Sequence, residues 1–206
     1  MNSLLLVHGG LWEDIDADRF WGRTGVVAGL VDRGRHVLAP DRPYRAPSWS
    51  VEAQALADEV PEADSVAVLA GSNGCSAAVR FALAEPGRVD ALILAWPVVA
   101  GDPEVDEGQR RELAELGATE AVIENLLAGE TLRGVTDAEL AAIRVRTAII
   151  PSDVDGRIHP LRTAEKLCRL IPGAVRLPAS PEAPRPTFPA HRDEFLDAVT
   201  EFTSGG

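Results

Sequence analysis

The sequence predicts an α/β protein built on a mainly parallel sheet of about six strands, with helices covering both faces. Three observations predict it. Short apolar runs alternate with helical stretches along all 206 residues. The runs are continuously apolar rather than alternating, as strands buried on both faces require. One of them, Val66-Ala67-Val68-Leu69-Ala70, leads through a sharp turn at Ser72 into a helix of small residues. That is the strand–turn–helix unit of an open α/β sheet.

Taken in order, the strands read as 3–7, 36–39, 66–70, 91–95, 147–151 and 174–177. Helices fill 17–33, 51–59, 73–85, 160–171 and 193–203. Ligands of such sheets bind outside the C-terminal ends of the strands. Residues 101–145 break the rhythm, with two or three acidic, leucine-rich helices and no strand. Thr136-Asp137-Ala138-Glu139 opens one of them as a capping box. We read 1–206 as a single domain and 101–145 as a small helical cap over the strand ends, the alternative being a plain crossover connection.

Composition narrows the function. A net charge of −12, with no run of lysines or arginines, argues against nucleic acid and anionic membrane surfaces as partners, because phosphate binding needs a basic footprint. No apolar run approaches the roughly 20 residues of a membrane span, and the N-terminus has no signal-peptide pattern. Cys75 and Cys168 fall on separate predicted helices, so a disulfide framework is not expected and a cytoplasmic setting is. Cys75 reads as a small packing residue. No His-x-x-x-His, Cys-x-x-Cys or phosphate-loop spacing occurs, so neither metal nor cofactor is expected. The expected partner is a small-molecule substrate. The acidic cap helices also offer a surface for a homodimer.

A serine at the strand end before a helix N-terminus joins a nucleophile to half an oxyanion hole. Four segments, in this order and spacing, resemble the α/β-hydrolase superfamily: Leu4-Leu5-Leu6-Val7-His8-Gly9-Gly10, His36-Val37-Leu38-Ala39-Pro40-Asp41, Ala70-Gly71-Ser72-Asn73-Gly74, and Glu85-Pro86-Gly87-Arg88-Val89-Asp90-Ala91-Leu92. The resemblance runs over nearly the whole chain and implies a compact α/β-hydrolase-like three-layer fold without the usual leading antiparallel strands. Ala70 stands where the family has its first elbow glycine. Ser72 is preferred to Asn73 as the turn residue because it leaves Ala70 and Gly74 at the two-residue offsets. The resemblance then implies Asn73 and Gly10 (or Leu11) as backbone oxyanion donors. It also implies that His8 shapes the oxyanion loop rather than acting as a base. His36 reads as structural.

The acid is expected after the strand at 147–151, in Pro151-Ser152-Asp153-Val154-Asp155-Gly156-Arg157-Ile158-His159-Pro160. Asp155 fits better than Asp153, and both also suit turn capping. The base is expected just after 174–177, near Ala183 to Arg185, where no histidine stands. His191, some six residues later, is the first candidate, and His159 the second. Leu11, Trp12 and Trp96 are the candidate pocket walls, while Trp21 and Trp49 read as packing. These residues predict a serine hydrolase of a small ester, lactone or thioester, using Ser72, His191 and Asp155 through an acyl-enzyme. The competing expectation is a binding module, or a non-hydrolytic use of the fold, lacking a base altogether.

Overall fold

The computed structural model describes residues 3–61 and 65–205. Its sheet comprises β1 (Ser3–Val7), β2 (Val37–Leu38), β3 (Val66–Gly71), β4 (Val89–Ala95), β5 (Arg146–Ile150) and β6 (Val175–Arg176). The strands lie in the order β2-β1-β3-β4-β5-β6, and every neighbouring pair is parallel.

Successive strand residues point to opposite faces, so the apolar runs feed two separate cores. Leu5 and Val7, Val68 and Ala70, and Leu92 and Leu94 face one core. Leu4 and Leu6, Ala67 and Leu69, and Ile93 and Ala95 face the other. Helices α2 (Trp49–Asp58), α3 (Gly74–Ala84) and α7 (Leu161–Leu170) cover the first face. Helices α1 (Val26–Asp32) and α8 (Arg192–Ser204) cover the second. The result is the three-layer arrangement expected of continuous apolar strands.

One predicted helix is divided. The stretch 17–33 forms a short π-helical turn, Asp18–Gly22, and then α1. Gly25 lies between them at φ 81°, a left-handed conformation that interrupts the helical path. The division lets Phe20 and Trp21 turn into the second core while Leu30 packs further along.

Between β4 and β5 stand α4 (Pro103–Glu115), α5 (Glu120–Leu127) and α6 (Asp137–Ala142). Asp102, Thr119 and Thr136 each accept backbone N–H bonds at the helix starts, and Thr136 with Glu139 completes the capping box. Leu113, Ile123, Leu126 and Leu140 bury this insertion against the same core as α2 and α3. Trp49 Nε1 donates to the Leu126 carbonyl at 3.0 Å, tying α2 to α5.

Candidate active site

Ser72 follows β3 and precedes α3, and its backbone is held at φ 53°. A non-glycine residue there is strained, and such strain collects at functional turns. The turn is fixed from both sides. The Ser72 amide donates to the Ala95 carbonyl at 2.9 Å, and its own carbonyl accepts from the Cys75 amide at 3.1 Å. Close packing explains the small residues around it. A Cβ on Gly74 would lie 2.5 Å from the His8 carbonyl oxygen, and one on Gly9 would lie 2.9 Å from the Ser72 Cβ. The helix start therefore touches the loop after β1 backbone to backbone, while Gly9 leaves room for the Ser72 and Phe20 side chains.

The Ser72 hydroxyl lies 3.0 Å from His159 Nε2. On the far side of the ring, His159 Nδ1 lies 2.9 Å from Glu182 Oε1. With the ring neutral, this network assigns Nδ1–H as donor to the carboxylate and Nε2 as acceptor of the serine proton. Glu182 also accepts from the Ser152 hydroxyl at 3.4 Å and from Arg185, whose Nε reaches Oε2 at 3.0 Å. Burial works to raise the Glu182 pKa, but the bonds and charges of His159 and Arg185 outweigh it and hold the carboxyl below its ordinary range.

Two loops bring these groups together. Beyond the ends of β5 and β6 the chains stay zipped. Ser180 N donates to the Pro151 carbonyl at 3.1 Å, and Asp153 N donates to the Ser180 carbonyl at 3.2 Å. This bridge sets Glu182, two residues on, beside the loop that carries His159. The Ile158 carbonyl accepts from Val99 N at 3.0 Å, and Pro160 directly precedes α7, so His159 is held at both sides.

Several expected residues stand elsewhere. His191 is exposed at the start of α8 and lines a shallow crevice with Pro178, Ser180 and Glu194. Its carbonyl accepts from the Phe195 amide, and it makes no hydrogen bond to Ser72. Asp155 Oδ1 accepts from the Leu161 amide at 2.8 Å, so this carboxylate caps α7, and the carboxylate on the histidine is that of Glu182. Asp153 is exposed. Trp96, expected as a pocket wall, is fully buried and stacks on Phe195 at 5.4 Å between ring centres. A left-handed backbone (φ 51°) turns it away from the strand end, and its Nε1 donates to the Ser180 carbonyl at 2.8 Å. Leu11 is likewise buried in the first core. Trp12 borders a cavity of about 190 Å³ together with Gly9, Gly10, Arg42 and Tyr44.

Gly10, at φ 88°, and Asn73 lie on the two segments that meet at the elbow. Among the described residues, neither amide is bonded to an acceptor, whereas the Leu11 amide donates to Glu13 Oε2 at 3.3 Å. Of these two β1-loop residues, Gly10 is thus the one whose amide is left without an acceptor among the described residues. The Asn73 side chain is buried and accepts from Arg133 of the insertion at 3.3 Å. His8 donates from Nδ1 to the Gly9 carbonyl and accepts at Nε2 from the Arg42 amide. Burial, helped by the Arg42 charge, lowers its pKa to about 4, so it stays neutral. Cys75 is fully buried, and burial raises its thiol pKa far above the ordinary value. Among the described residues, no group of three or more His, Cys, Asp or Glu side chains is arranged to hold a metal ion. No described helix is long and apolar enough to cross a membrane.

Sequence missed Glu182, which stands one residue before the stretch searched for a histidine. The available signal was that the loops after β5 and β6 carry a histidine and a carboxylate between them, in the reverse of the expected order.

This topology and elbow are those of the α/β-hydrolase fold, and solved structures of that superfamily match the chain over its length. An α/β-hydrolase enzyme from the metagenome of Mar Chica lagoon sediments in Morocco is 22% identical, with a TM-score of 0.70 over 98% of this chain and 90% of that one. A thermophilic esterase from Thermogutta terrifontis, with malate bound, is 19% identical, with a TM-score of 0.71 over 98% and 89% of the two chains. A meta-cleavage product hydrolase from Pseudomonas fluorescens, a serine-to-alanine mutant complexed with acetates, is 19% identical, with a TM-score of 0.69 over 99% and 91%. No protein-family model and no curated protein matches the sequence.

Proposed function

We propose that the protein is a serine hydrolase of a small ester, lactone or thioester, with Ser72 as nucleophile, His159 as general base and Glu182 as the acid that orients the histidine. The observation that carries this reading is the unbroken path from the Ser72 hydroxyl to His159 Nε2 at 3.0 Å and from His159 Nδ1 to Glu182 at 2.9 Å. The same path supports His159 as the base whose lack at the expected place favoured a binding module.

In this reading the Ser72 Oγ attacks the substrate carbonyl carbon while its proton passes to His159 Nε2. The Glu182 carboxylate stabilises the imidazolium and keeps its own charge. The amides of Asn73 and Gly10 take up the oxyanion, each contributing on the order of 3 kcal/mol to lowering the barrier. Collapse of the tetrahedral adduct breaks the bond to the leaving group, which takes the proton from His159. Water then attacks the acyl-enzyme, with His159 accepting its proton, and releases the acid and free Ser72. The insertion at 101–145 acts as a small cap, and the cavity beside Gly10 and Trp12 receives one end of the substrate.

Intact-mass analysis after exposure to a fluorophosphonate probe tests this. One label per chain in the wild type and none in Ser72→Ala is the expected result. A folded wild type that takes no label, or a Ser72→Ala variant labelled like the wild type, contradicts it.

A further inference from the structure

We propose that Arg42 is a positioning residue that holds the oxyanion loop in its working conformation, an inference that rests on the hydrolase reading above. Arg42 lies on the loop after β2 and its guanidinium is turned under the loop after β1. Its Nη1 donates to three consecutive carbonyls, those of His8 at 2.9 Å, Gly9 at 3.0 Å and Gly10 at 2.9 Å. Its backbone amide meets His8 Nε2 at 2.9 Å. The other edge of the guanidinium is gripped by Glu52 of α2, through Nε at 2.6 Å and Nη2 at 3.0 Å. Both side chains are almost wholly buried, at 6% and 3% exposure.

Three carbonyl oxygens aimed at one point repel one another, and away from water that repulsion is strong. A cation at the point of convergence reverses its sign. Within a trans peptide the C=O and the following N–H point opposite ways. Fixing the Gly9 carbonyl on Arg42 therefore turns the Gly10 amide away from Arg42. Gly10 reaches this conformation with φ at 88°. Arg42 thus acts on the side of the loop opposite the donor, and Glu52 aims it. Arginine suits the task because its planar fork serves the carboxylate and the carbonyls at once.

Removing Arg42 alone strands the buried Glu52 charge, so the informative variant is the double substitution Arg42→Met/Glu52→Leu, which leaves no unpaired ion. The readout is the kinetics of fluorophosphonate labelling at Ser72, resolved into the maximal rate and the half-saturating concentration, with the unfolding temperature measured in parallel. We expect a folded variant whose maximal rate falls about 10- to 100-fold, less than deletion of an oxyanion donor, while half-saturation moves less than about threefold. A lysine at this position cannot hold Glu52 bidentately and also span the carbonyls, so Arg42→Lys loses part of the rate. Should the double variant fail to fold, Arg42→Lys carries the test, with the same split between rate and half-saturation. A folded double variant, or failing that Arg42→Lys, that labels at the wild-type maximal rate overturns the inference. A wild type unlabelled at Ser72 overturns the hydrolase reading instead.

Discussion

The two halves of the sheet edge place their chemistry in different ways. On the β1–β3 side, the serine, the adjacent amides and the glycines around them lie within a few residues of their own strand ends. Close packing, against side chains at Gly9 and against backbone at Gly74, demands small residues there, so the requirement is written locally. On the β5–β6 side, His159 and Glu182 are far apart in sequence and meet only because two loops stay zipped past their strands. There the histidine precedes the carboxylate along the chain, the reverse of the expected order, and the two side chains meet only in space. Local geometry is constrained residue by residue, whereas the acid and the base need only converge from neighbouring loops.

Glu182→Gln breaks the distal side most severely. An amide holds the histidine but can select the wrong tautomer and cannot offset the imidazolium charge. The fluorophosphonate labelling rate is expected to fall by roughly 10² to 10⁴. A fall of less than threefold would remove Glu182 from the path.

The proximal side is probed by pH. His8 has a folded-state pKa of about 4 against an ordinary value near 6.5. It binds its proton more readily unfolded than folded, so its contribution is full above pH 6.5 and is lost as pH falls toward 4. The loss is on the order of 3 kcal/mol. Urea unfolding at a series of pH values is expected to give a steeper fall over that window in the wild type than in His8→Gln, and parallel curves would contradict the assignment. Glu182 is depressed in the folded state, so its stabilisation is present above the ordinary carboxylate pKa and disappears at more acidic pH. The two groups therefore act in successive windows.

Asp155→Ala should have the smallest effect. It removes the acceptor for the Leu161 amide and is expected to cost about 1 kcal/mol in unfolding free energy with labelling within twofold of the wild type. A hundredfold loss of labelling would return Asp155 to the catalytic path.

How far the sequence could be read follows the same division. The apolar runs predict all six strands, with ends displaced by no more than two residues; burial on both faces explains the pattern in β1, β3, β4 and β5, whereas β2 is half-buried and β6 exposed. The elbow at Ser72 was legible because a helix packed against the β1 loop tolerates only small residues. The division of 17–33 was not, since Gly25 takes a left-handed conformation that helical periodicity does not reveal. Trp96 was expected as a pocket wall at a strand end, yet it packs into an aromatic cluster with Phe195 and Phe188. Asp155 was expected beside the histidine and Glu182 was not singled out, because a carboxylate serves a helix start and a histidine equally well. Only the bridge between Ser152 and Ser180 decides which of them reaches the ring.

The proposed mechanism takes its base from the β5 loop. Fluorophosphonate labelling rates of His159→Ala and His191→Ala, measured side by side on folded protein, test it most directly. His159→Ala is expected to slow labelling by roughly 10²-fold or more, while His191→Ala stays within about twofold of the wild type. Loss of labelling in His191→Ala, with His159→Ala unaffected, would contradict it.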